Sequence, residues 1–295
     1  MARFLLVAVL ALLALLLPGR VGAGPLSEII LFASNPQPEP QIHAVRPDGR
    51  DMRCLVRLRG ACREPNLCPA TGLVAFSVLE FGSWHLYQVD LEGRNLRRLT
   101  CTPSDDRHPS WSPDGSRLVF ETNRWGADEL AVMDADGSNL RRLTFDETVN
   151  RFPSWSPRGD RIAFVSWRQG SSDLYTLDSG DPGDPERLTR NPFADVTPSW
   201  APDGSGLVYG SRNHRRGFLA TVRPGEEPRR LTTGTETATY PAWSPDGSQI
   251  LFTARAGTSV ALYLLPVGGG PPRPFPADPP AAVFDLVWQR CALPW

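Results

Sequence analysis

Trp111-Ser-Pro-Asp-Gly-Ser116 returns with small changes as Trp155-Ser-Pro-Arg-Gly-Asp160, Trp200-Ala-Pro-Asp-Gly-Ser205 and Trp243-Ser-Pro-Asp-Gly-Ser248. With Trp288 as a fifth marker, the tryptophans stand 44, 45, 43 and 45 residues apart. A period in the forties, kept over most of a chain, marks stacked copies of one supersecondary unit. Each phrase leads into a short apolar run at 117–120, 161–164, 206–209 and 249–252. Pro-Asp-Gly between β-rich runs is a tight turn: Pro presets φ, Asp bonds back to the backbone, and Gly takes positive φ without steric cost.

A third run follows, such as Glu129-Leu-Ala-Val-Met133 or Asp173-Leu-Tyr-Thr-Leu177, and then a second glycine turn, clearest at Asp134-Ala-Asp-Gly-Ser-Asn139. The unit closes on Leu99-Thr100, Leu143-Thr144, Leu188-Thr189 and Leu231-Thr232. Four strands joined by three connections, with no helical period, describe a propeller blade. Outer strands ending at Leu55, Leu99, Leu143, Leu188, Leu231 and Phe275 count six blades. The first unit opens on Ile29-Ile-Leu-Phe32, which matches a second strand, while Phe284-Asp-Leu-Val-Trp288 matches the missing inner one. The expectation is an all-β, six-bladed β-propeller whose first blade is closed by the C-terminal strand, leaving no open edge.

Pro-Ser-Trp-Ser-Pro-Asp-Gly at 109–115, with Asp-Ala-Asp-Gly-Ser-Asn-Leu-Arg-Arg-Leu-Thr at 134–144, resembles the TolB-type, WD40-like PD40 repeat. The likeness recurs at least four times and implies a six-bladed propeller. In TolB-type proteins such a propeller follows an α/β domain and binds a peptidoglycan-associated lipoprotein. Here the first blade begins soon after the N-terminal apolar segment, so a propeller without that domain is expected. Similar propellers precede the catalytic domain of prolyl-oligopeptidase-like peptidases, yet no Gly-x-Ser-x-Gly elbow occurs in this sequence. Fold likeness carries neither function across by itself.

Met1-Ala-Arg3, an apolar run at 4–17 and the small-residue site Val21-Gly-Ala23 read as a signal peptide over 1–23, with a single propeller domain over 24–295. The apolar run is shorter than the roughly 20 residues that span a bilayer. A periplasmic or secreted protein, without a membrane span after signal removal and monomeric, is therefore expected. All basic residues are arginines, and 32 acidic residues against 31 basic ones leave a net charge of −1. That balance argues against a nucleic-acid partner. Cys54, Cys62, Cys68, Cys101 and Cys291 suggest a disulfide in an exported chain, with Cys68 or a neighbour pairing to Cys291 across the seam.

Successive turns of an antiparallel meander alternate between two faces. The short Pro-Asp-Gly and Asp-Gly turns share one, and the variable loops between second and third strands share the other with the blade connections. Binding residues favour variable loops on a rigid scaffold. Trp84, Trp125 and Trp167 lie in or beside such loops of blades 2 to 4, with Arg124 and Arg168 flanking two of them, and these residue types are common in binding hot spots. Three residues before each tryptophan position, Glu64, His108, Phe152, Thr197, Tyr240 and Asp285 form a second ring, preceded by Arg63, Arg107 and Arg151 in blades 2 to 4. Glu64, His108 and Asp285 would meet at the channel mouth as a polar or cation site. No cofactor is implied, since phosphate-loop, dinucleotide and zinc-protease motifs are lacking. The expected function is a non-catalytic scaffold that binds a protein or cell-envelope component. The rivals are a lactonase- or lyase-like enzyme at the channel mouth and a carbohydrate-binding module.

Overall fold

The computed structural model describes residues 27–291, apart from 35–38, 181–182, 214–216, 233–236, 257–258, 278 and 280–281. Six four-stranded antiparallel sheets surround a central channel. Blade 3 shows the plan, running outward from Asp106–Trp111 through Arg117–Thr122 and Glu129–Asp134 to Arg141–Arg142. Blade 1 takes its inner strand, Val283–Cys291, from the C-terminal end and its other three, Ser27–Ser34, Gln41–Val45 and Arg53–Val56, from the N-terminal end. Ile30 faces Trp288 and Ser27 faces Cys291 in that joint. The segment read as a signal peptide lies outside the described residues.

The repeated phrases do mechanical work at the turns. Ser112 Oγ donates to Asp114 at 2.5 Å and accepts from Arg117 N at 2.9 Å, while Gly115 takes φ 73°. Ser244, Asp246 and Gly247 repeat this arrangement in blade 6. The Arg-Leu-Thr ending has its own role. Thr100, Thr144, Thr189 and Thr232 accept from a backbone N–H of the third strand at 2.9–3.0 Å. Arg98, Arg142, Arg187 and Arg230 each donate back to the carbonyl of that threonine. The short outer strand is thereby fixed by side chains where its ladder is only two residues long.

Apolar burial lies between blades. Trp111, Leu118, Phe120 and Met133 of blade 3 join Ala75, Leu86 and Leu99 of blade 2. Ile30, Phe32 and Trp288 of blade 1 join Ala242, Leu251 and Leu262 of blade 6 across the seam. Each fully buried large side chain contributes about 1.5–3 kcal/mol. Polar straps add direction: near the channel, Trp111 N donates to Asn66 Oδ1 at 2.9 Å and Trp155 N to Ser110 Oγ at 3.0 Å, each crossing one blade boundary. At the outside, Arg53, Arg97 and Arg141 reach carbonyls of the next blade at Leu91, Asp136 and Ser179. Blade 4 has Glu186 there, which turns back to Arg161 of its own blade at 2.7 Å.

No disulfide is seen among the described residues, and the pairing of Cys68 with Cys291 is ruled out by their places in the fold. Cys68 is buried in the cluster between blades 2 and 3, against Gly115, whereas Cys291 is buried in the cluster between blades 1 and 2. An apolar interface separates the two positions, and no disulfide is present among the described cysteines. Closure of the ring rests on strand pairing and packing.

Asp195, fully buried at the start of the blade 5 inner strand, accepts from Ser211 at 2.6 Å and Asn191 at 2.9 Å. Burial, opposed by these hydroxyl and amide donors, pushes its carboxyl up to about 6. The folded state therefore binds this proton more tightly than the unfolded chain, and the contribution to stability falls as pH rises from about 4 to about 6. Asp195→Asn should remove that slope, so thermal melts from pH 3.5 to 7 would show the variant gaining on the wild type as pH rises; parallel curves would refute the assignment.

Candidate functional site

Each inner strand contains a β-bulge at the same height. Pairing with the second strand skips between Arg63 and Asn66, Arg107 and Ser110, Arg151 and Ser154, Val196 and Ser199, and Thr239 and Ala242, with a matching shift in blade 1. The bulged residues are the predicted ring: Glu64, His108, Phe152, Thr197, Tyr240 and Asp285 all take φ between 49° and 59°. Left-handed backbone is costly for residues with a Cβ, so surrounding contacts must hold it in place. In five blades the next residue is proline, which offers no N–H to a ladder and is tolerated inside a sheet at a bulge.

Carboxylates supply those contacts in half the ring. Asp285 Oδ2 accepts from Glu64 N at 3.2 Å, Glu64 Oε2 from His108 N at 2.9 Å, and Glu121 Oε2 from Phe152 N at 3.1 Å. Each bond ties the bulge of one blade to an acid of the preceding blade. The same acids carry the site's charge network. His108 lies with Nε2 3.2 Å from Glu64 and Nδ1 3.1 Å from Glu121, the latter off the line of the ring N–H and so an electrostatic contact. Arg63 Nε donates to Asp285 at 3.1 Å, with its guanidinium 4.6 Å from the Phe284 ring centre. Ser77 Oγ donates to Glu64 at 2.7 Å.

Burial disfavours a charged His108, but Glu121 and Glu64 outweigh it and raise its pKa to about 9. Burial pushes the Asp285 carboxyl up against the pull of Arg63, and burial with Asp285 nearby raises Tyr240 to about 12. The mouth is thus two-sided, with a charged arc on blades 1 to 3 and the neutral residues Phe152, Thr197 and Tyr240 on blades 4 to 6. The channel below has a volume of about 470 Å³ and is lined by the successive prolines and tryptophans of the inner strands.

The structure brings Glu64, His108 and Asp285 together as expected positions on one mouth, but their partners are His108, Arg63 and backbone N–H groups. Among the described residues no group of three or more ligating side chains is arranged to hold a metal ion. The three tryptophans do not meet among the described ring contacts. Trp84 N donates to Asp105, and its ring lies 5.3 Å from Arg107, itself paired with Asp105 at 2.9 Å. Trp167 packs on the cluster between blades 4 and 5. Trp125 remains 37% exposed beside Arg124 and Arg142. Arg124 is tied to buried Asp106 at 2.8 Å, Arg168 to Asp146 at 2.9 Å, and Arg151 to Asp128. Sequence reasoning missed Glu121, whose signal was an acid in a second strand at a level where other blades carry Ser77, Val165, Gly210 and Thr253. It also missed exposed Phe81 and Phe145.

Because the folded pKa of His108 lies above its ordinary value, its stabilisation is complete below about 6.5 and is lost as pH rises through about 9. His108→Gln should melt with a flatter pH profile than wild type between pH 7 and 9.5; an unchanged decline in the variant would show that the imidazolium is not the titrating group.

The sequence matches the family described as the TolB beta propeller domain over residues 25–225, more than half of the chain. No curated protein matches it. Among solved structures, TolB from Acinetobacter baumannii superposes with a TM-score of 0.76 at 22% identity, over 89% of this chain and 66% of that one. A protein assigned as TolB from Agrobacterium tumefaciens gives 0.69 at 20% identity, over 85% of this chain and 89% of that one. An oligogalacturonate lyase in complex with manganese gives 0.59 at 16% identity, over 80% and 70%. This chain therefore spans just under two thirds of the Acinetobacter protein, and likenesses at these identities concern the fold alone. With its repeats, its six blades and the family match in agreement, the chain belongs to the TolB β-propeller family.

Proposed function

We propose that this propeller is an exported, non-catalytic scaffold, periplasmic or secreted and monomeric, that binds a protein or other cell-envelope component through its loop face. The observation that carries the reading is the mouth itself. Three of its carboxylates are engaged in holding left-handed bulges and neighbouring cations, so the rim is preformed, and a preformed surface loses less entropy on binding. A general acid or base needs reach to a substrate proton, whereas Glu64, Glu121 and Asp285 are turned toward protein donors. Membership in the TolB family supports the same reading, and the apolar leader read at 1–23 supports export.

The rival reading rests on His108 facing the channel and on the fold likeness to oligogalacturonate lyase. Two measurements separate them. Capture from an envelope extract should retain a partner on the wild type and lose it on Tyr240→Ala combined with Trp125→Ala, while Leu96→Ala on the opposite face has no effect. Incubation with oligogalacturonate should yield no unsaturated product. Turnover that vanishes in His108→Ala, or a partner profile indifferent to the loop-face changes, would reverse the conclusion.

A further inference from the structure

The two faces of the ring arrange their exposed charge differently, which the net value of −1 conceals. Repeat chemistry puts acids on the turn face, Asp114, Asp203 and Asp246 in the Pro-Asp-Gly turns and Asp136 in an Asp-Gly turn, and exposed arginines stand among them, Arg158 in the matching turn of blade 4 and Arg50, Arg94 and Arg223 paired with neighbouring acids. Hydroxyl and backbone donors of the following serines, with Ser112 and Ser244 added at Asp114 and Asp246, hold these carboxyls below the usual range, so they stay ionised. On the loop face, Arg57 and Arg59 lie between blades 1 and 2, Arg190 between blades 4 and 5, and Arg212 and Arg255 at the ends of second strands in blades 5 and 6. All five are exposed, and none has a carboxylate partner among the described residues. Exposed acids on this face among the described residues, Glu39, Asp146 and Glu147, are fewer, and Asp146 is already paired with Arg168.

Apolar exposure follows the same division. Phe81, Trp125 and Phe145 are the exposed aromatic residues on the loop face, at 103%, 37% and 68%. The other large exposed hydrophobics among the described residues, Leu96 and Val267, are aliphatic and lie on the turn face. Phe81 is doubly disfavoured. It occupies the first position of a two-residue hairpin tip between Glu80 and Ser83, at φ 51°, where Asn, Asp or Gly is ordinarily found. Water surrounds its ring and the backbone is left-handed, so nothing within the fold accounts for a phenylalanine there. Trp125 and Phe145 stand on either side of Arg142, 5.1 and 5.0 Å from its guanidinium carbon, and that cation is already neutralised by buried Glu129 at 2.7 Å.

We infer that the protein docks loop face down on an anionic phospholipid surface, with the three rings entering the headgroup layer and the five unpaired arginines lying over lipid phosphates. The inference rests on the loop face being the contact face and names lipid as a component of the envelope it meets. Placement favours a plane over a protein pocket. Protein hot spots cluster near the centre of an interface, whereas the five arginines spread along the rim from blade 1 to blade 6 and the rings along blades 2 to 4. Aromatic side chains favour the membrane–water boundary, and each basic residue near an anionic bilayer adds attraction. The turn face, where acids and arginines are interspersed and no exposed aromatic stands among the described residues, offers the boundary neither feature, which fixes the orientation.

Flotation of the full chain with vesicles tests this, using phosphatidylcholine alone and phosphatidylcholine mixed with phosphatidylglycerol. The leader is common to every variant, so differences between variants report the propeller. Wild type should partition onto the mixed vesicles more strongly than onto phosphatidylcholine, and high salt should reduce that preference. Replacing the five arginines by glutamine should lower partitioning onto the mixed vesicles roughly tenfold or more. Phe81→Ser with Phe145→Ser should lower it as well, whereas Leu96→Ser with Val267→Ser should not, and melting curves confirm that each variant is folded. Equal binding to both vesicle types, or loop-face variants that float like wild type, would overturn the inference. Loss of vesicle binding alongside intact partner capture sinks the lipid contact alone; vesicle binding without a captured protein sinks a protein partner alone.

Discussion

Burial between neighbouring blades is the constraint on which the structure depends. A single four-stranded blade has an apolar face that it cannot cover itself, and every buried cluster of this molecule draws its side chains from two adjacent blades. Such an arrangement is stable when each interface has a partner, which a ring provides and an open stack does not. The joint between Ser27–Ser34 and Val283–Cys291 is therefore essential to the whole ring. It turns two chain ends into one blade, and Trp288 enters its interface as Trp111 enters its own.

Strain at the mouth follows from the same geometry. Six inner strands converge on one channel, and a bulge in each directs a side chain to the rim. Bulging displaces backbone N–H groups from the ladder, and buried donors need acceptors. In blades 2 to 4 the acceptor is a carboxylate borrowed from the previous blade, and His108 and Arg63 offset part of the resulting charge. Residues that resemble catalytic groups in the sequence thus have an architectural task. The outcome is a rim charged along one arc and neutral along the other.

Different chemistry on the two faces has a common origin in the repeat. Turn residues are chosen for backbone geometry, and the choice of Asp for tight turns places acids on that face in blades 3, 5 and 6, while Arg158 takes the position in blade 4. Loops between second and third strands and the connections between blades are free of this demand, and there the chain carries arginines, exposed rings and variable length. Arginines at the outer strands form a third group, consumed by threonine carbonyls and next-blade turns. Counting arginines without placing them would merge these three roles.

The sequence by itself determined the six blades, the alternation of turn and loop faces, the closure through Phe284–Trp288 and the ring from Glu64 to Asp285. Each of these depends on period and turn chemistry, which are local and repeat. Only the tertiary structure decided which side chains face one another across a blade boundary. It placed Glu121 beside His108, separated Cys68 from Cys291 by an apolar interface, and showed Trp167 packing inward while Trp125 stays in water. Those outcomes depend on the bulges, on the rotation between neighbouring sheets and on which acid is nearest each displaced N–H, and such relations join residues from about 13 to about 220 positions apart that no local pattern connects.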